Sequence, residues 1–120
     1  MARTTRQVDG SEGEDQAVAH LERAGLRVLS RNWRCRAGEL DVVARDTDGT
    51  LVFVEVRRRA SSAFGGAAAS ITLAKQVRLA RAAEFYRQVM RCTQQPCRFD
   101  VVLIESGRLE WIRDAFQPGS

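Results

Sequence analysis

Two strand-like runs constrain this chain more than anything else in it. In GELDVVARDTDGTLVFVEVRR, an alternating segment (38–45) and a nearly continuous apolar segment (51–58) flank DTDGT, whose aspartates and Gly49 suit a tight reversal. The spacing predicts an antiparallel pair inside a sheet. Each run also carries a carboxylate within its apolar stretch, Asp41 in the first and Glu55 in the second. An ionised group inside a sheet costs several kcal/mol unless it is paired or holds a metal. Both residues are therefore candidates for ion pairing or for ligation.

The remaining segments frame that pair. SEGEDQAVAHLERAG predicts a helix over about 12–24: Ser11 with Glu14 fits a capping box, Ala17, Val18, Leu21 and Ala24 form an apolar stripe, and Gly25 suits its end. LRVLSRNWRC offers a strand near 26–30, extended or irregular toward Trp33, so the first three strands read as a meander. RASSAFGGAAAS is rich in small residues without periodicity and reads as a flexible loop of about a dozen residues. ITLAKQVRLARAAEFYRQVM predicts a long helix with Leu73, Val77, Ala80 and Ala83 toward the core; Lys75, Arg78 and Arg81 spread over an arc of about 120°. Two strands follow, RFDVVLIE (98–105) and RLEWIR (108–113), joined at Ser106 and Gly107. The order αβββαββ implies an α/β or α+β domain around a mixed sheet. In 120 residues this is one domain, residues 11–116, with flexible tails at 1–10 and 117–120.

Composition excludes several classes. No apolar run approaches a membrane span, and the basic N-terminus has no apolar segment behind it, so a cytoplasmic protein is expected. Cys35, Cys92 and Cys97 form neither a disulfide framework nor a zinc site with the lone His20, which reads as a helix-surface residue. The net charge of +4 is unevenly spread: residues 57–98 hold nine basic and one acidic side chain. Such a block suits a polyanion, although a solvated helix face has the same composition.

Alternation along strands puts Glu39, Asp41 and Val43 on one face of the first run, opposite Leu40, Val42 and Ala44. In the second, Leu51, Phe53, Glu55 and Arg57 lie opposite Val52, Val54 and Val56. If Asp41 pairs near Glu55, two like charges meet and a cation must sit between them, either Arg57 or a divalent metal. Asp41, Glu55 and a backbone carbonyl near Val56, completed by water and phosphate, form an oxygen set that suits Mg2+. A structural ion-pair network is the competing reading. Glu39 is a second carboxylate beside Asp41 or an exposed partner of Arg34 or Arg36, and Asp100 is expected to pair with Arg98 or a helix residue. Trp33, among Arg31, Arg34 and Arg36, stacks on an unpaired base or closes the sheet edge, and Trp111 is expected in the core.

GSEGE, RNWRCRAGELDVVA, LVFVEVRRR, Lys75 and RFDVVLIE, in that order, resemble the YraN-like family of small bacterial proteins over about residues 10–116. That family is similar to the PD-(D/E)XK nuclease superfamily, in particular to archaeal Holliday-junction resolvases. The resemblance implies a restriction-endonuclease-like α/β fold: an αβββαβ core, a mixed central sheet flanked by helices and an extra C-terminal strand. It also implies an endonuclease site dependent on Mg2+ or Mn2+ and acting on DNA, branched DNA included. Asp41 matches the first metal-ligand aspartate, Glu55 the acidic residue of the E-x-K element, and Glu14 a helix-one glutamate found in some resolvases. Arg57 stands where the superfamily has lysine. A guanidinium stays protonated and cannot act as a base, although it can steady developing phosphorane charge; three outcomes stay open: water or the substrate phosphate is the base, Lys75 swings in from the next helix to supply the missing ammonium, or the site has decayed into a binder. Arg34, Arg58, Arg59, Lys75, Arg78 and Arg81 would grip phosphates, and a homodimer would suit symmetric or junction DNA. Two other readings stay open: a non-catalytic nucleic-acid-binding module in which Arg57 neutralises the carboxylates, and a protein-interaction factor using the basic helix.

Overall fold

The segments 51–59 and 97–105 are apolar on both faces, and the fold covers both. The computed structural model describes residues 5–59 and 71–117, as α1 (Thr5–Arg23), β1 (Arg27–Cys35), β2 (Gly38–Arg45), β3 (Leu51–Arg59), α2 (Leu73–Val89), β4 (Cys97–Glu105) and β5 (Arg108–Phe116). All five strands form one sheet in the order β1-β2-β3-β4-β5, antiparallel except for the parallel β3–β4 pair, which α2 bridges. A parallel pair needs such a crossover, and its position buries both strands on both faces. This is an α/β fold with an αβββαβ core, a mixed central sheet between helices and an extra C-terminal strand, the arrangement that the resemblance implies.

α1 covers one face, packing Ala17 and Leu21 on Val42, Ala44, Val52, Val54, Val102 and Ile104. α2 covers the other, packing Leu79, Ala82, Ala83 and Tyr86 on Leu40, Val43, Phe53 and Phe99. Each large apolar side chain buried this way contributes about 1.5–3 kcal/mol. No helix among the described residues is long and apolar enough to cross a membrane.

Three local expectations need correction. α1 begins at Thr5, so Ser11 lies inside the helix instead of capping it. Residues 5–10 contain no proline, and one glycine costs only about 1 kcal/mol in a helix. Ala24 is exposed, beyond the buried stripe; the helix does end at Gly25 (φ 101°), where Gly25 N–H donates to Glu22 O and Leu26 N–H to Leu21 O in a Schellman motif. On α2 the expected core positions Leu73 and Val77 are 74% and 46% exposed, and Leu79, Ala82 and Tyr86 join Ala83 inside. The larger Tyr86 decides the helix phase, because it packs edge-on against both Trp33 and Phe53. The small-residue loop expected between β3 and α2 lies, apart from Arg59, outside the described residues.

Asp100, fully buried on β4, ties three parts of the fold together. It accepts from Arg98 Nε at 3.1 Å, Trp111 Nε1 at 2.9 Å and the Asp114 N–H at 2.9 Å, and Arg98 in turn donates to Asp46 at 2.8 Å. Trp111 also packs on α1 through His20, with ring centroids 5.8 Å apart. Both residues thus serve packing. The three cysteines are free thiols.

Candidate active site

β2 and β3 run together only from Arg45↔Leu51 to Val42↔Val54, whereas β3 stays paired with β4 as far as Arg59↔Glu105. Where β2 and β3 part, the Asp41 side chain fills the gap. Its Oδ2 accepts the Val56 N–H at 2.9 Å, replacing the strand acceptor that this amide would otherwise lack. Glu55, at the next position of the same register, is 6% exposed and hydrogen-bonds through its side chain to Asp41. The structure thus brings the two carboxyls together at the fork.

Glu55 also meets two cations: Oε2 lies 3.5 Å from Lys75 Nζ and 3.7 Å from Arg57 Nη1. Lys75 reaches it because of the phase of α2. It heads the stripe Lys75, Leu79, Ala82, Tyr86, whose other members are buried against the sheet. Thr72 caps this end, its hydroxyl accepting the Lys75 N–H at 3.1 Å. Lys75 is therefore separated from Arg78 and Arg81, which are exposed on the solvent side.

Burial, and after it the charge of Glu55, pushes the Asp41 carboxyl up to about 8, against a partial pull downward from the Val56 N–H. The Asp41 carboxyl therefore favours its protonated form far more than an ordinary aspartate does. Of the cations expected between the carboxylates, Arg57 reaches Glu55 at 3.7 Å.

Glu14 on α1 also raises the Asp41 value through its charge. Its Oε1 accepts from Asn32 Nδ2 at 2.8 Å and lies 3.6 Å from Arg31 Nη2, which is 2.7 Å from Asp15. Asn32 and its link to Glu14 escape sequence reading; the available signal is a lone amide within the strand segment RNWRC. Strand alternation also fails here: Leu40 joins Val43 on the α2 side, and Val42 joins Ala44 on the α1 side, so Asp41 sits where the strand changes face.

Of the expected phosphate-binding residues, Arg58 is exposed and its stem crosses Gly13, where an added Cβ would stand 2.8 Å from Arg58 Cδ. Arg34 is bonded to Glu39 at 2.7 Å, which settles Glu39 as its partner. The Arg59 side chain lies outside those described. Trp33 packs against Tyr86 with ring centroids 5.2 Å apart, closing the sheet edge. A cleft of about 320 Å3 lined by Arg87, Arg98, Phe99 and Phe116 opens near the other end of α2 and shares no residue with the carboxylate site.

No three His, Cys, Asp or Glu side chains among the described residues form a ready-made cage for a metal. A two-carboxylate set nevertheless fits Mg2+ or Mn2+. Hard dications of this size take one or two carboxylates and leave the remaining positions to water and phosphate. The charges of Glu55 and Glu14, which add to burial in raising the Asp41 value, are ones that a dication would offset.

The family model described as "Uncharacterised protein family UPF0102" matches residues 13–104. A UPF0102 protein of Cupriavidus pinatubonensis is 55% identical over 114 residues, covering 95% of this chain and 89% of that protein. One from Methylibium petroleiphilum is 52% identical over 120 residues, covering 94% and 96%. Among solved structures, "Structure of EndoMS-dsDNA2 complex" aligns at 24% identity with a TM-score of 0.47, over 84% of this chain and 36% of that one. A repair endonuclease from Pyrococcus abyssi aligns at 16% and 0.45, over 80% and 38%. This chain spans little more than a third of either solved chain.

Proposed function

We propose that this chain, which belongs to the UPF0102 family, is a metal-dependent endonuclease that hydrolyses phosphodiester bonds of cytoplasmic DNA. The observation that carries the reading is the fork between β2 and β3, where Asp41 and Glu55 meet beside Lys75. Asp41 and Glu55 would hold Mg2+ or Mn2+. Once bound, such an ion polarises the scissile phosphate and lowers the pKa of the attacking water.

The chain's own residues supply the rest. The Val56 N–H orients Asp41, and Lys75 and Arg57 bring positive charge to the place where negative charge develops on the phosphate. Arg57 cannot pass a proton. Lys75 is the basic side chain that sits against Glu55 beside Arg57, 3.5 Å from its Oε2. Exposed Arg58, Arg78 and Arg81 would track the backbone. Arg34 would join them by exchanging Glu39 for a phosphate, since an exposed pair is worth only about 0–1 kcal/mol. A second copy would extend this small footprint over symmetric or junction DNA.

The test is cleavage of labelled linear, flapped and four-way DNA in Mg2+ or Mn2+. Asp41→Ala, Glu55→Ala and Lys75→Met should each lose about two orders of magnitude or more in rate while still binding DNA. Arg57→Lys should remain active. A wild type that cuts nothing, with activity appearing only in Arg57→Lys, would instead identify a binding module in which Arg57 and Lys75 neutralise Glu55. In the same assay Arg78→Ala and Arg81→Ala should weaken binding to all sequences alike, each flattening the log–log salt slope by about 1. Salt-insensitive or absent DNA binding would point to a protein partner.

A further inference from the structure

We infer that Asn32 is a positioning residue of this site, holding the Glu14 carboxylate beside the Asp41–Glu55 pair through its left-handed backbone and its carboxamide together. The inference rests on the reading of that pair as a dication site. Asn32 has φ 53° in the middle of β1, a conformation that costs most L-residues energy and that asparagine tolerates best among side-chain-bearing residues. It changes which way the strand faces. Arg31 reaches Asp15 on α1, whereas Trp33, two residues on, packs against Tyr86 on α2; regular alternation would send both to one side.

The facing strand does the same at the same level. Arg31 pairs with Val42 and Trp33 with Leu40, which leaves Asn32 opposite Asp41. Leu40 goes to the α2 side and Val42 to the α1 side, so both strands swap faces at the Asn32–Asp41 step. From this crossing Asn32 Nδ2 donates to Glu14 Oε1 at 2.8 Å, with Arg31 Nη2 3.6 Å from the same oxygen. The amide thus couples the helix carboxylate to the strand that carries the site. Backbone strain retained at a catalytic fork is the usual signature of such a device.

The test pairs Asn32→Gly with Glu14→Gln, reading Mn2+ affinity by EPR titration, thermal melting and the split between kcat and KM for DNA. Glycine keeps the left-handed backbone and deletes only the amide, so Asn32→Gly should melt near the wild type. It should bind Mn2+ about tenfold more weakly, as loss of an outer hydrogen-bond partner of a metal site does, and lower kcat with KM for DNA unchanged. Glu14→Gln, which leaves β1 untouched, should show a similar loss, and adding Asn32→Gly to it should cost nothing further. Wild-type Mn2+ affinity in Asn32→Gly, or equal losses that multiply in the double variant, would overturn the role of Asn32 alone. A wild type that takes up no Mn2+ would overturn the dication site and this inference with it.

Discussion

Asp41→Asn will stabilise the metal-free protein by several kcal/mol at pH 9 and will leave it near wild-type stability below pH 4. Folding lifts the Asp41 carboxyl from its ordinary 3.8 to about 8, first through burial and then through the charge of Glu55. Between those values the folded protein keeps a proton that the unfolded chain has released, so stability falls as pH rises across the window. The cost is complete above about 8 and absent below 3.8. Each pKa unit corresponds to about 1.4 kcal/mol, which makes the full effect large. Asparagine keeps both contacts, because its carbonyl accepts the Val56 N–H and its amide donates to Glu55. Denaturant titrations at pH 4, 7 and 9 with a chelator present check this, and parallel curves for the two proteins would refute it. The same proton links metal binding to pH: a dication must displace it, so Mn2+ affinity of the wild type should climb from pH 6 to 8 and then level off. Glu55 and Glu14 act on this group through their charge, Lys75 and Arg57 lie against Glu55 and Arg31 lies against Glu14; Glu55→Gln and Glu14→Gln should move the midpoint of that climb.

Asp100→Ala should cost about 3–5 kcal/mol, enough to unfold many domains of this size. The carboxylate is fully buried, and its removal strands the Trp111 indole N–H and the Asp114 N–H and takes away one of the two carboxylates that Arg98 pairs with. Asp114 is the more exposed to this loss, because it has φ 51° and lies where β5 slips register against β4 between Phe99 and Val101. Denaturant unfolding at pH 7 measures the effect, with Trp111 fluorescence as an internal reporter. A loss under about 1 kcal/mol would mean that the network is replaceable by water.

The lesson of the Asp100 network is also one about reading sequence. Pairing of Asp100 with Arg98 is visible two residues apart in RFD, but the indole and the β5 amide that complete the set come from a strand whose register slip no local pattern announces. The carboxylate site divides the same way. Asp41 and Glu55 stand out in sequence because a charge within an apolar strand needs a reason, and antiparallel pairing across DTDGT brings them level. The fork that lets Asp41 cap Val56 and the approach of Lys75 do not.

Periodicity, turn residues and isolated charges act over a few neighbours, and so the order of elements, the β2–β3 hairpin and the two acidic candidates were decided within the sequence itself. Choices between locally equivalent alternatives were left to packing. α2 offers two apolar stripes, and only Tyr86 lodging against Trp33 and Phe53 selects the one that turns Lys75 inward and leaves Leu73 in solvent. The change of face at Asn32 and Asp41 likewise exists because two helices compete for opposite sides of the same strands, and that competition arises only once the chain is folded.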